Sequence, residues 1–409
     1  MDLMLKMAFL NILRNNRRSI ITVLAIIFGC VSLIVYGGYV EAMYEGLRES
    51  TIRSQLGHIQ IFKKGFNEFG HVEPEKYLLT NNDVHRINQI MAEQSEVEII
   101  TRRLNFNGLV SNGKTSTAVM GVGINAEEES LLSSYVNIEE GEDLFPDDLD
   151  GGLVGKGLAE SLNLKVGDWV TLLAATADGG MNAVDISVKG IITTISSEYD
   201  KRLIRANLPH IQNLMYTDSV SRMVILLKET ELTDEFRNRL VKIFEDENLN
   251  FEVKTWSELT QFYHKVVEMF DSQFLFIKII VMVIVVLSIA NTMIMAVMER
   301  TREIGTIRAL GNTRSEILFL FITESIYLGL IGGILGIVIG MAASKGITAA
   351  EIIMPPPPGS STGFPIRIFV VPRFLWQSMV LGLVAAVFSS IYPAIKAARL
   401  KIVDALRFV

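Results

Sequence analysis

The sequence contains a single cysteine, Cys30, which excludes a disulfide framework and any zinc motif built on cysteine pairs. Histidine is also scarce. His58, His71, His85, His210 and His264 include no pair at helical i, i+3 or i+4 spacing with a carboxylate partner, so they read as solvated surface residues rather than metal ligands. No nucleophile stands beside a base. Charged residues make up 20% of the 409, below the quarter usual for soluble chains, while mean hydropathy is +0.35. A chain so short of charge for its length must keep part of itself in lipid.

What is present explains the shortage. Four runs are long enough to cross a hydrocarbon core, which takes roughly 20 apolar residues: residues 19–40, 273–298, 317–344 and 374–395. The first carries no charge, and the third carries one carboxylate, Glu324. Basic residues cluster before the first run (Lys6, Arg14, Arg17, Arg18), between the second and third (Arg300, Arg302, Arg308, Arg314) and after the fourth (Lys396, Arg399, Lys401, Arg407). The bias of Lys and Arg toward the cytoplasmic side puts segments 1–18, 299–316 and 396–409 inside. Segments 41–272 and 345–373 then lie outside, and both termini are cytoplasmic. The first run is too long for a secretory signal and no A-x-A-like site follows it. Charge divides along the same lines. Residues 41–272 hold 22 Lys+Arg against 38 Asp+Glu, a balance of −16, and the remainder holds 16 against 7, a balance of +9. The acidic block disfavours nucleic acid as a partner.

Residues 3–13, LMLKMAFLNIL, set Leu3, Met7 and Leu10 near one helical face, so segment 1–18 reads as an interfacial helix or as the ordinary start of the first span. Helical pattern continues past Val40 and resumes before the second run, as a stalk. Within 41–272, GHIQIF, EVEIITRRLNFNGLV, KTSTAVMGV, DWVTLLAA, AVDISVKGIITTI and RMVILL read as strands. NNDVHRINQIMAEQ, with Asn caps, and LTDEFRNRLVKIFEDEN, opening at Thr233, read as amphipathic helices. The expected fold class is therefore an α-helical membrane protein with four transmembrane helices and a large extracytoplasmic α/β domain between spans 1 and 2, divided into two subdomains near residues 125–150. One motif is misleading. GLVSNGKT at 108–115 fits the P-loop pattern, but Asn112-Gly113 between two strand-like runs is a hairpin signal, and no helix follows to cradle phosphate.

The short charged segment ERTREIGTIRALG (299–311) is amphipathic around Ile304, Ile307 and Leu310, and reads as an element that passes motion to the attached spans or as a basic turn that fixes orientation. This segment, FLFITESIYLGLIGGILG after it, YPAIKAARLKIVDALRF at 392–408, LVGKGLAESLNLKVGDWVTLL at 153–173 and the opening MAFLNILRNNRRSIITVLAIIFG together resemble the MacB/FtsX-like permeases of ATP-binding-cassette (ABC) transporters, including the lipoprotein-releasing LolC/LolE type. The resemblance covers essentially the whole chain and implies that the external domain is a MacB-like periplasmic core. By analogy, Glu299, Arg300, Arg302, Glu303, Ile307 and Arg308 contact a separate cytoplasmic ATPase dimer, which carries the ATP and magnesium; this chain binds no cofactor of its own. The family also implies a second permease, identical or homologous.

Glu324 must find a partner, as a structural tether or a proton relay. Gly329, Gly332, Gly333, Gly336 and Gly340 form two small-xxx-small rows that let helices approach closely. Met354 followed by Pro355, Pro356, Pro357 and Pro358 forms a stiff polyproline segment, a linker or, by the resemblance, part of a lateral substrate entrance. The resemblance implies a non-enzymatic permease subunit of the bacterial inner membrane that couples ATP hydrolysis on its partner to movement of the periplasmic domain. Lipoprotein extraction from the outer leaflet is the leading cargo, MacB-like efflux of hydrophobic compounds or peptides with a periplasmic adaptor is the alternative, and a receptor with an external sensor domain is a remote third.

Overall fold

The computed structural model describes residues 2–14, 16–70, 72–133, 136–194, 196–354 and 364–406. They form two compact units, one of residues up to Glu45, Val266–Met354 and Pro365 onward, the other of Gly46–Lys265. His71 and Pro355–Pro358 lie outside the described residues.

The Gly46–Lys265 unit is built on a ten-stranded sheet: β1 (Ile59–Lys63), β2 (Val97–Ser111), β3 (Ser116–Ile124), β4 (Asn137–Gly141), β5 (Gly151–Gly155), β6 (Trp169–Ala175), β7 (Met181–Thr193), β8 (Leu203–Asn207), β9 (Arg222–Leu227) and β10 (Phe251–Thr255). The order is β10-β1-β9-β2-β3-β8-β5-β7-β4, and β6 pairs with both β2 and β7. That double pairing closes a six-stranded ring, β2-β3-β8-β5-β7-β6, with β9, β1 and β10 extending from β2 as a wing. Ring closure removes two free edges that would otherwise invite aggregation. β6 alternates cleanly: Val170, Leu172 and Ala174 are buried, Trp169 and Leu173 exposed. β5, β8 and most of β9 are buried throughout, as strands covered on both faces must be.

The expected split near 125–150 does not occur. β2 is shared by ring and wing, and one apolar cluster runs from Val154 and Ile186 in the ring to Phe236 and Phe244 beside the wing. Segment 126–150 contributes a short helix, Ala126–Leu132, and the edge strand β4. The helix Asn81–Ala92 is capped by Thr80, whose hydroxyl accepts from Asp83 N while the Asp83 carboxylate accepts from Thr80 N, not by an Asn. Thr233 does not cap the helix Thr233–Asp246, which follows directly on a tight turn at Thr230–Leu232. The 108–115 segment is a hairpin: β2 and β3 pair from Arg103↔Ile124 to Ser111↔Ser116. Its loop spans four residues rather than two, because Asn112 Oδ1 accepts from both Lys114 N (3.0 Å) and Thr115 N (2.9 Å) and holds them out of the returning strand.

The other unit contains α1 (Asp2–Arg14), α2 (Asn16–Thr51), α3 (Gln261–Glu299), α4 (Thr301–Ala309), α5 (Arg314–Ala349), α6 (Pro372–Ala398) and α7 (Ile402–Leu406). Among the described residues α2, α3, α5 and α6 are the helices long and apolar enough to cross a membrane. Each outlasts its expected run, and α2 and α3 carry helix well past the apolar stretch. α5 begins at a capping box, with Thr313 Oγ1 accepting from Glu316 N and Glu316 Oε2 from Thr313 N. The five glycines sort by neighbour. A Cβ at Gly332, Gly336 or Gly340 would strike Ile26, Cys30 or Ile34 of α2, and one at Gly329 or Gly333 would meet Leu383 and Ala386, or Met379, of α6. Contacts that rise together make α2 and α5 parallel, while those with α6 run antiparallel. Tyr44–Phe270 and Tyr36–Phe274 likewise set α2 against α3 in antiparallel fashion. Outward faces, such as Leu275, Phe276, Ile280 and Leu287 of α3, stay apolar and exposed, as a lipid-facing surface requires.

Of the histidines, His58 contradicts the surface reading: it is 1% exposed. Nδ1 accepts from Leu227 N (3.0 Å), so Nε2 carries the proton and donates to Thr230 Oγ1 (2.9 Å), whose hydroxyl donates to Glu49 Oε1 (2.9 Å). Burial, only partly opposed by Glu49, lowers its pKa from 6.5 to about 4. A base with a depressed folded pKa stabilises the fold fully above its unfolded pKa and loses that contribution as pH falls toward the folded value. Between pH 6.5 and pH 4 the protein should lose about 3 kcal/mol of unfolding free energy through this group. Denaturant unfolding followed by tryptophan fluorescence should show the slope flattened in His58→Gln; an identical pH profile in the variant would refute the assignment.

Candidate functional site

The basic ends of the four apolar helices gather charge at one end of their unit: the starts of α2 and α5 and the ends of α3 and α6. Between α3 and α5 stands α4. Its start is fixed by Thr301, whose hydroxyl donates to Val297 O (3.0 Å) or Met298 O (2.9 Å) at the end of α3. Its far end is set by Gly311, whose φ of +106° lets the chain turn sharply into α5. One face is buried. Ile304 lies in an apolar cluster with Ile317, Phe321 and Ala397, Ile307 packs at its edge, and a Cβ on Gly305 would come within 2.8 Å of Ala405 Cβ in α7.

The residues expected to contact an ATPase divide between two tasks. Arg300 points inward and is 7% exposed. Its Nη1 donates to Glu324 Oε1 (3.0 Å) and Oε2 (3.3 Å), and its Nε donates to Glu303 Oε2 (3.2 Å). Asn11 Nδ2 of α1 donates to Glu324 Oε1 (2.7 Å) and Arg14 Nη2 to Glu303 Oε2 (2.6 Å), while Arg18 pairs with Glu299. Arg308 also turns inward, with Nη1 donating to Ala398 O (3.3 Å) and Leu400 O (2.6 Å) and so capping the C-terminal end of α6. Arg300 and Arg308 are therefore internal clamps, and Glu324 is tethered rather than unpaired. For Glu303, partial burial pushes the carboxyl up, but hydrogen bonds and charge from Arg14 and Arg300 outweigh it and hold the group below the usual carboxylate range.

What remains outward on α4 and its C-cap is a stripe at i, i+4 and i+8: Arg302 and Thr306 of the helix and Leu310 just after it, the last 81% exposed. Glu299 and Glu303 flank it. Sequence reasoning missed Asn11 and Arg14 as parts of the site, because the N-terminal basic segment was explained fully by membrane orientation. Nothing short of the tertiary structure brings residue 11 to residue 324. Met354 lies apart from this site and receives a hydrogen bond on Sδ from the Tyr39 hydroxyl (3.5 Å).

Sequence comparison adds the family. The profile of the MacB-like periplasmic core domain matches residues 19–243, and that of the FtsX-like permease C-terminal region matches residues 275–402. Similar proteins include an uncharacterized ABC transporter permease of Methanocaldococcus jannaschii, 24% identical over 99% of this chain and 98% of its own. The lipoprotein-releasing system transmembrane protein LolE of Haemophilus influenzae is 26% identical over 76% of this chain and 77% of its own. The macrolide export ATP-binding/permease protein MacB of Chlorobium luteolum is 36% identical over 29% of this chain and 16% of its own.

Removing one member of a buried ion pair strands the other, at a cost of about 3–5 kcal/mol, whereas replacing both with apolar residues is often close to neutral. Arg300→Met should accordingly lower the thermal stability of the detergent-solubilised protein strongly, and Arg300→Met with Glu324→Leu should recover most of the loss. Additive destabilisation in this double-mutant cycle would show that the two side chains are not coupled.

Proposed function

Because the chain belongs to the ABC transporter permeases that join a MacB-like periplasmic core domain to an FtsX-like permease region, we propose that it transmits the work of a separate cytoplasmic ATPase to its α/β unit on the opposite side of the membrane. The observation that carries this reading is the construction of α4. The helix is short, held rigidly on its inner face by Arg300, Gly305 and Arg308, and presents the polar and apolar stripe Arg302, Thr306 and Leu310 outward. A rigid element so anchored passes a displacement at its outer face to α3, α5 and α6 together instead of absorbing it. ATP and magnesium belong on the partner ATPase, and this subunit acts without a catalytic centre of its own, beside a second permease that is a copy or a homologue.

In this arrangement segments 1–18, 299–316 and 396–409 are cytoplasmic, and residues 41–272 work outside as the moving body. The parallel course of α2 and α5 and the antiparallel course of α3 and α6 support an even number of crossings. Extraction of lipid-modified proteins from the outer leaflet is the first cargo reading, supported by the likeness to LolE over three quarters of the chain. The likeness to MacB favours a second, export of hydrophobic compounds or peptides with a periplasmic adaptor.

Two measurements test the mechanism. Arg302→Glu with Leu310→Asp changes exposed side chains, so folding should be disturbed by only a few tenths of a kcal/mol, yet the ATPase should no longer co-purify and its stimulated hydrolysis should be lost. Retention of both would remove α4 as the contact. In a Cys30→Ser background, Ser111→Cys and Ser315→Cys should react with an impermeant thiol reagent from opposite sides of sealed vesicles; labelling from one side would overturn the topology.

A further inference from the structure

In the α/β unit three arginines converge beside Glu129, two of them, Arg103 and Arg205, buried and the third, Arg222, partly exposed. Arg103 on β2 and Arg222 on β9 are direct cross-strand partners, an arrangement of like charges that destabilises a sheet unless something lies between them. Arg205 on β8 joins them, and Glu129 pairs with both Arg103 and Arg205. Two of the three guanidiniums are well supplied. Arg103 donates to Glu129 Oε2 through Nε (3.1 Å), to Glu129 Oε1 through Nη2 and to Gln55 O through Nη1. Arg205 donates to Ser133 Oγ (3.1 Å) and Ser54 O (2.7 Å). Arg222 has no such supply: among the described residues its buried Nε finds no acceptor. Asp200 is committed to Thr194, accepting from its N (3.0 Å) and hydroxyl (2.7 Å), and Asp143 accepts from Leu144 N (2.8 Å).

Between these groups lies a cavity of about 40 Å³ bordered by Arg103, Arg205, Arg222, Tyr199, Gln55 and Leu56. We propose that this cavity is a binding site for one small inorganic anion, which lies between the like-charged arginines and supplies the missing acceptor for Arg222 Nε. Its volume corresponds to about three waters on a scale of roughly 10–15 Å³ each, enough for chloride or a single phosphate and too small for a lipid headgroup or nucleotide. Arginine forks suit such a ligand in geometry as well as charge. Burial first, and then repulsion from Arg103, pushes the Arg222 pKa down to about 10, which still leaves it charged at neutral pH. The site has a structural consequence. Arg103 and Arg205 hold the carbonyls of Gln55 and Ser54 in the π-helical turn Ile52–Leu56, the irregular stretch in which α2 ends. Turns of this kind are frequent at functional positions. Filling the cavity would fix both arginines and, through them, that turn.

The test uses the full-length protein in nanodiscs of neutral lipid, at constant ionic strength, with sodium gluconate as the anion too large to enter. Thermal unfolding is followed by tryptophan fluorescence during titration with sodium chloride or sodium phosphate, and equilibrium dialysis with radiolabelled phosphate or chloride counts the bound ions. At least one of the two should raise the midpoint saturably, as a ligand selective for the folded state must, and bind close to one per chain. Arg222→Gln should weaken that binding at least tenfold while melting in gluconate no lower than the parent, since it removes one of two like charges placed directly across the strands. Arg222→Lys, which keeps charge but loses the fork, should bind several-fold more weakly and serves in place of Arg222→Gln if that variant does not fold. Absence of saturable binding in the parent, or equal binding in both variants, would mean the cavity holds water and would overturn the proposal.

Discussion

A carboxylate enclosed by apolar helices is tolerated only if charge of the opposite sign is brought to it, and the membrane unit is arranged around meeting that demand for Glu324. An isolated charge in such surroundings costs several kcal/mol. The partner, Arg300, sits between the end of α3 and the start of α4, so the bond that neutralises Glu324 also fixes the angle at which α4 leaves the membrane-crossing helices. Asn11 adds α1 to the same knot. Because the acceptor lies on α5 and the donors on α1 and at the α3–α4 junction, a displacement of α4 cannot be absorbed locally without separating a buried pair. A charge that looks like a liability in the sequence thereby acts as the joint through which the reading of α4 as a lever becomes physically reasonable.

Packing along the rest of the bundle solves a different problem. Lipid offers no hydrophobic incentive for helices to associate, so close backbone approach must supply the contact. The glycines of α5 do this on two sides at once: the Gly332, Gly336 and Gly340 row receives α2, and Gly329 and Gly333 receive α6. α5 is consequently the central helix of its unit, and Glu324 lies on it, less than two turns before the first of those glycines. The helix that carries the buried charge is the one whose neighbours are closest.

The α/β unit follows soluble rules, with one exception. Its sheet closes on itself through β6, its core is a continuous cluster of aliphatic side chains, and its helices carry ordinary caps. The exception is the group of buried Arg103 and Arg205 and partly exposed Arg222 beside Glu129, placed where the strands meet the turn Ile52–Leu56. Cores satisfy buried polar groups by pairing, and a buried guanidinium nitrogen, Arg222 Nε, with no acceptor among the described residues marks a position with a task beyond holding the fold. His58 lies close along the same chain segment and is treated in the opposite way, kept neutral through hydrogen bonds to Leu227 and Thr230.

The sequence by itself determined the four apolar helices, the acidic α/β block between the first and second of them, the Asn112-Gly113 hairpin in place of a nucleotide loop, and the two glycine rows. These rest on local physics, namely hydrophobic run length, period, charge bias and turn chemistry, each readable within a window of some twenty residues. The short buried strands β5 and β8 were not legible, because GGLVG reads as a turn and LIRAN carries an arginine that only a distant carboxylate makes tolerable. Nor could local pattern separate Arg300 and Arg308, which turn inward, from Arg302, which faces out: in a helical segment rich in arginine, direction depends on what lies across the gap. Tertiary structure alone decided that residue 11 meets residue 324, that residues 103, 205 and 222 share one cavity, and that β6 closes the ring. Long-range electrostatic partners and strand neighbours are set by how the chain returns to itself, and no stretch of sequence contains both ends of that return.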